Sequence, residues 1–101
     1  MFIGIARFEV FIPASRSLKD KRQVLRSMIS TTQKKFAGAA IAEVGHQDLW
    51  QRAVLGVSCV SDSKQHCSEV LQEIERSLGR FALEGAEIID RSIDVVSSED
   101  I

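Results

Sequence analysis

The sequence predicts an α+β fold of the ferredoxin-like kind, a βαββαβ two-layer sandwich with an antiparallel four-stranded sheet and both helices on one face. Three observations point there. Strand-like and helix-like segments follow one another in the order β-α-β-β-α-β. Each helical segment carries a single apolar stripe, as a helix covering a sheet does. The length of 101 residues fits one domain, taken as residues 1–96 with a frayed tail over 97–101. Right-handed crossovers in both halves would put the two helices on the same side of the sheet and leave the other face open.

The first strand spans Phe2 to Ile12, rich in β-branched and aromatic residues, and stops at Pro13, which cannot donate to a ladder. Its even positions, Phe2, Gly4, Ala6, Phe8, Val10 and Ile12, are apolar or small and form the expected core face. Its odd positions, Ile3, Ile5, Arg7, Glu9 and Phe11, point the other way. Ser17-Leu18-Lys19-Asp20 then reads as a helix N-cap, with Asp20 at the positive end of the helix dipole. Leu25, Met28, Ile29 and Phe36 define the buried stripe, with Val24 and Thr32 at its margins. Lys19, Arg22, Arg26, Ser30 and Lys34 group on the opposite side, so this helix turns a basic face to solvent. Lys21 falls nearer the core edge, within reach of a carboxylate or a strand end.

Ala37-Gly38 breaks the helix, and Ala39 to Val44 forms a short strand whose small residues leave its register open. Gly45 to Leu49 is the expected hairpin loop. Trp50 to Val60 makes the third strand, with Ala53, Leu55, Val57 and Cys59 inward and Trp50, Arg52, Val54 and Ser58 outward. Gly56 within it marks a bulge or a close approach. Ser61 to Ser63 caps a second helix, whose stripe of Cys67, Val70, Leu71, Ile74, Leu78 and Phe81 is the clearest periodic signal in the chain. The outer face of this helix is acidic and polar, and Gly79 and Gly85 bracket its exit. Ala86 to Val96 supplies the last strand. Its Glu87, Asp90, Arg91 and Asp94 suit a sheet edge, where charge discourages further pairing.

Composition narrows the function classes. At 45% hydrophobic and 27% charged residues the chain is an ordinary globular one. Its longest apolar runs fall short of a membrane span, and Met1 to Ile5 reads as a strand rather than a signal peptide. Two cysteines, Cys59 and Cys67, cannot make a disulfide scaffold, so a cytoplasmic protein with reduced thiols is expected. The net charge of −1 gives no global affinity for nucleic acid, but its distribution is polarised. Arg16 to Lys35 holds seven basic residues against Asp20, a net +6, and the rest of the chain carries −7.

Ser17-Leu18-Lys19-Asp20-Lys21-Arg22, Ala42-Glu43-Val44, Asp48-Leu49-Trp50-Gln51-Arg52-Ala53, Leu55-Gly56-Val57 and Val60-Ser61 together resemble the YlxP-like family of uncharacterised small bacterial proteins. The resemblance covers about residues 2 to 95. It implies a ferredoxin-like domain with no catalytic residues to carry over. It also implies a role near the ribosome, because genes of this family often lie beside those for translation initiation and ribosome maturation factors.

The basic helix face, with Arg16, Lys19, Arg22, Arg26 and Lys34, is the leading candidate site, since phosphate neutralisation needs several cations on one surface. Its expected partner is RNA, as ribosomal RNA or a ribosomal subunit; the plain alternative is a solvated helix face. The open sheet face is the second candidate. Ile3, Ile5, Phe11, Trp50, Arg52 and Val54 would form a patch there for a second copy or another protein. Base stacking on that face is less favoured, because no RNP-like aromatic run is present and tyrosine is absent. Glu43, His46 and Asp48 have metal-compatible side chains but no metal-binding spacing, and Glu43 is also placed to pair with Arg52 across the hairpin. No metal or other cofactor is expected. Cys59 and Cys67 lie on core faces. No phosphate-cradling glycine loop, nucleophile elbow or zinc-protease helix occurs, so no enzymatic activity is expected.

Overall fold

The alternation of the first segment is realised as strand β1 (Phe2–Phe11) in the computed structural model, which describes residues 1–100. Helix α1 (Leu18–Lys35), strands β2 (Ala39–Gly45) and β3 (Arg52–Ser61), helix α2 (Lys64–Gly79) and strand β4 (Glu87–Ser97) follow. One sheet holds the strands in the order β2-β3-β1-β4, with every neighbouring pair antiparallel. This is the ferredoxin-like α+β sandwich. α1 lies over the β2 side, and α2 packs on β1, β3 and β4.

The core forms where the expected inward faces meet. Phe8, Val10, Leu55, Met28, Leu71, Ile74 and Leu78 are fully buried. Gly4 lets α2 come close to β1: a Cβ there would stand 2.8 Å from Cys59 Sγ and 2.9 Å from Leu71 Cδ1. Both helices begin at a serine cap, with Ser17 Oγ accepting from Asp20 N and Ser63 Oγ accepting from His66 N. A 3-10 turn over Arg80–Glu84 extends α2, and Gly85, at φ 86°, ends it in the left-handed conformation that glycine adopts without strain.

Four particulars differ from the sequence expectation. β3 starts at Arg52, so Trp50 and Gln51 belong to the preceding loop: Gln51 turns its side chain to the β1–α1 connection instead of facing a strand neighbour. β2 runs in register with β3 as far as Glu43, and a bulge then places Gly45 opposite Val54. The bulge lays Val44 over Gly56, where a Cβ would meet Val44 Cγ1 at 3.0 Å, so Gly56 marks a close approach. Val54, expected on the open face as surface, is only 2% exposed. It sits between Glu9 and Gly45 in the pairing, and His46 reaches over it to Glu9. At the C-terminus β4 takes in Ser97, and Ser98–Asp100 form a 3-10 turn; Ile101, the end of the expected tail, lies outside the described residues.

Candidate functional site

The Ser17 cap sets the phase of α1, and with it the basic face. Ser17 Oγ accepts from Asp20 N at 3.0 Å, and Asp20 Oδ2 accepts from Arg16 N at 2.9 Å, so the one acid of the segment is spent on the cap. Arg16, Lys19, Arg22, Arg26 and Lys34 are all exposed. None of them makes an ion pair among the described residues, where the pairs are Lys21–Glu43, His46–Glu9, Arg52–Glu9 and Arg91–Glu75. The helix therefore presents an uncompensated row of cations to solvent. Arg22 and Arg26 also border a shallow groove between α1 and the free edge of β2.

Lys21, next to Arg22 in the chain but on the other side of the helix, does the opposite. Its side chain is 1% exposed, and Nζ donates to His46 O at 2.8 Å, Arg52 O at 3.2 Å and Gln47 O at 3.3 Å. Glu43 Oε2 lies 3.0 Å from the same nitrogen. Three carbonyls already take the three N–H bonds, so this buried carboxylate oxygen is held by charge and has no hydrogen bond of its own. Glu43 points inward because it continues the core-facing series Ala39, Ile41, Glu43 opposite Cys59, Val57 and Leu55. The expected Glu43–Arg52 pair is thereby corrected: Glu43 and Arg52 lie on opposite faces of the sheet, and Glu43 pairs with Lys21.

Arg52 instead meets Glu9 on the open face. Arg52 Nη1 donates to Glu9 Oε2 at 3.4 Å, and His46 Nε2 lies 3.2 Å from Glu9 Oε1. His46 adopts φ 58°, the left-handed conformation that turns the chain out of β2 and brings its carbonyl to Lys21. The Arg52 guanidinium also lies 5.9 Å from the centre of the Phe11 ring. Beside it the loop exposes Leu49 and Trp50. Gln51 Nε2 donates to Pro13 O at 3.1 Å and Ser15 O at 3.3 Å, tying this loop to the segment that enters α1. Two stretches of sequence thus converge at one end of the molecule: Ser17–Arg22 holds the loop from the helix side, and Asp48–Ala53 holds the connection from the strand side.

The other expected surfaces come out divided. Ile3 and Ile5 are separated from Phe11, Trp50 and Arg52 by Arg7 and the Glu9–His46 pair, and buried Val54 adds nothing between them. Ile5 and Val44 remain exposed together beside Ala40 and Ala42 on the open face, and Val60 is exposed further along β3. Glu43, His46 and Asp48 do not converge, and among the described residues no three His, Cys, Asp or Glu side chains stand together as a metal site. Cys59 and Cys67 are buried thiols. Burial, and then the neighbouring Cys67, push the Cys59 thiol up to about 11, which keeps it protonated and poorly nucleophilic near neutral pH. No helix among the described residues is long and apolar enough to cross a membrane.

Sequence reasoning found the exposed cations, the cores of both helices and Lys21 at the core edge within reach of a carboxylate and a strand end. It missed the hold of Lys21 on the loop carbonyls of His46 and Gln47 and the Glu9–His46–Arg52 set. The only local signal for the first was the phase of Lys21, which set it apart from the other cations of α1.

Comparison with known proteins adds the following. A family model described as "Protein of unknown function (DUF503)" matches residues 3–93. An uncharacterised protein of Bacillus subtilis (strain 168), YlxP, is 39% identical over 79 residues, spanning 78% of this chain and 85% of its own. Among solved structures, a de novo designed protein with a ferredoxin fold superposes with a TM-score of 0.51 at 11% identity, over 95% of this chain and 83% of its own. A hydantoinase/carbamoylase family amidase from Burkholderia ambifaria superposes with a TM-score of 0.64 at 14% identity, with 95% of this chain matching 28% of the amidase. At such identities these two structures speak to the fold alone.

Proposed function

The chain belongs to the YlxP/DUF503 family, a family of unknown function, and we propose that it is an accessory domain that docks on RNA, as ribosomal RNA or a ribosomal subunit, through α1. The observation that carries this reading is the row Arg16, Lys19, Arg22, Arg26 and Lys34, exposed and without ion-pair partners among the described residues. Unpaired cations in a row repel one another, and a polyanion relieves that repulsion while releasing its own counterions. Contacts from cations to phosphates carry no base sequence, so affinity through α1 should be sequence-tolerant and salt-sensitive. The reading implies a cytoplasmic protein.

The test is sedimentation of the protein with ribosomal particles on gradients at low and high salt, beside the variant Lys19→Glu/Arg22→Glu/Arg26→Glu/Lys34→Glu. Migration with one subunit at low salt, lost at high salt and in the variant, is the expected result. A variant that migrates like the parent would remove α1 as the docking surface.

A second reading is carried by Ile5 and Val44, which stand exposed together on the open sheet face, with Val60 exposed further along β3. On this reading the domain is a homodimer or binds another protein through that face. Sedimentation equilibrium would then show a dimer that Ile5→Asp with Val60→Asp converts to monomer. A wild-type protein that stays monomeric at high concentration rules out the homodimer.

A further inference from the structure

We propose that the hollow between Phe11, the Trp50 loop and Arg52 receives one unpaired RNA base, with a flanking phosphate on Arg16. This rests on the RNA reading above and gives it a preference for single-stranded over paired RNA.

Two adjacent apolar side chains stand exposed in an otherwise polar loop, and the loop is held firmly. Leu49 is 42% and Trp50 56% exposed. Around them Lys21 Nζ binds three carbonyls of the hairpin, Gln51 Nε2 binds two of the β1–α1 connection, and Ile12 N donates to Gln51 O at 2.8 Å. The conformational cost of presenting an indole to solvent is therefore met on folding, as in a preorganised binding site. The hollow is open to solvent, has a volume of about 540 Å³ and is lined by Phe11, Asp48, Leu49, Trp50, Gln51 and Arg52. That volume lies within the roughly 300–1,000 Å³ usual for small-ligand sites.

The lining selects the occupant. An indole face stacks on any base, and the Arg52 guanidinium, which lies over the Phe11 ring, offers a second flat, cationic face. Asp48 repels a phosphate from the hollow but accepts hydrogen bonds from the N–H groups of a base edge. A flanking phosphate is then left to Arg16. The two hydrogen bonds from Gln51 to Pro13 O and Ser15 O set the loop against the chain that leads directly into Arg16, which is exposed. A base inside a duplex is stacked and paired and cannot enter; an unpaired one can.

Trp50 is the only tryptophan in the chain, so its intrinsic fluorescence reports on the hollow directly. The experiment titrates the full-length protein with a single-stranded octaribonucleotide of mixed sequence and with a blunt RNA duplex of the same length. The single strand should quench the indole saturably and the duplex should not. Trp50→Ala should weaken single-strand binding about 5- to 150-fold, the worth of one stacked base. Trp50→Phe should retain most of the affinity, and duplex binding should be unchanged in both variants. Salt-sensitive binding of both RNAs with no quenching overturns the base site and leaves the α1 reading standing. Absence of binding to either RNA overturns both. A blue shift of the indole emission with protein concentration alone would make the loop a contact between two copies and likewise overturn the proposal.

Discussion

Lys21 brings its ammonium group into a space that is 1% exposed, where three carbonyls and Glu43 surround it. A buried lysine is costly to leave unpaired, but here each proton has an acceptor and the charge has a counter-ion. Removing it orphans several buried acceptors at once. Lys21→Met should therefore cost about 3–5 kcal/mol in urea unfolding, whereas Glu43→Gln, at a carboxylate that accepts no hydrogen bond there, should cost less. A near-neutral Lys21→Met would show that the remaining bonds, those of Gln51 and Ile12 among them, hold the loop without Lys21. Cys59 supplies a pH dependence. Its thiol is raised from 9.0 to about 11 by burial and by Cys67. In that window the unfolded chain has already released the proton that the folded chain keeps. The stability contribution is therefore complete below about pH 9 and is lost as pH rises through about 11. Melting temperature should fall across this interval, and Cys59→Ala should flatten the slope even though it lowers the stability overall.

The elements impose these residue positions through their periods. In α1, Lys21, Leu25, Met28 and Thr32 are buried on one side, while Lys19, Arg22, Arg26 and Lys34 face out. The cap starts the helix and so fixes this phase. Ser17→Ala should cost about 1 kcal/mol of stability. It should also weaken RNA association less than the fourfold charge reversal does, because the cations remain. Comparing its urea midpoint and its gradient profile with those of the parent checks both. In β2 the phase is decided by the neighbouring strand. Ala39, Ala40 and Ala42 give no strong inward preference, and the register follows from Ile41 opposite Val57 and from Glu43 finding Lys21 beneath α1.

At the scale of the molecule, the charge asymmetry along the chain becomes an asymmetry in space. α1 covers the β2 side, while β4, with Glu87, Asp90 and Asp94, forms the far edge of the sheet, under α2 with its acidic outer residues. Separating the cations from the acids by the width of the sheet leaves the cations free for a polyanion and turns the acidic side away from it. If the four exposed cations of the test variant each meet one phosphate, the logarithm of the RNA affinity should fall by about 3 for each tenfold rise in salt, and the charge-reversed variant should lose that dependence. A slope near zero would mean that charge does not drive the association.

What the sequence by itself determined was the order of elements, the inward faces of β1 and α2, both serine caps, the edge position of β4 and the basic face of α1. Each is written in spacings of a few residues, because caps and periodicities act locally. Only the tertiary structure decided that Lys21 is buried, that Glu43 pairs with it and not with Arg52, that β2 bulges before Gly45, that Val54 is covered and that Trp50 stands on a tethered loop. Those outcomes depend on contacts such as Lys21 with His46, Gln47 and Arg52, which lie 25, 26 and 31 residues along the chain. A buried cation goes to whichever acceptors the folded chain brings within reach, and no local pattern names acceptors that far away.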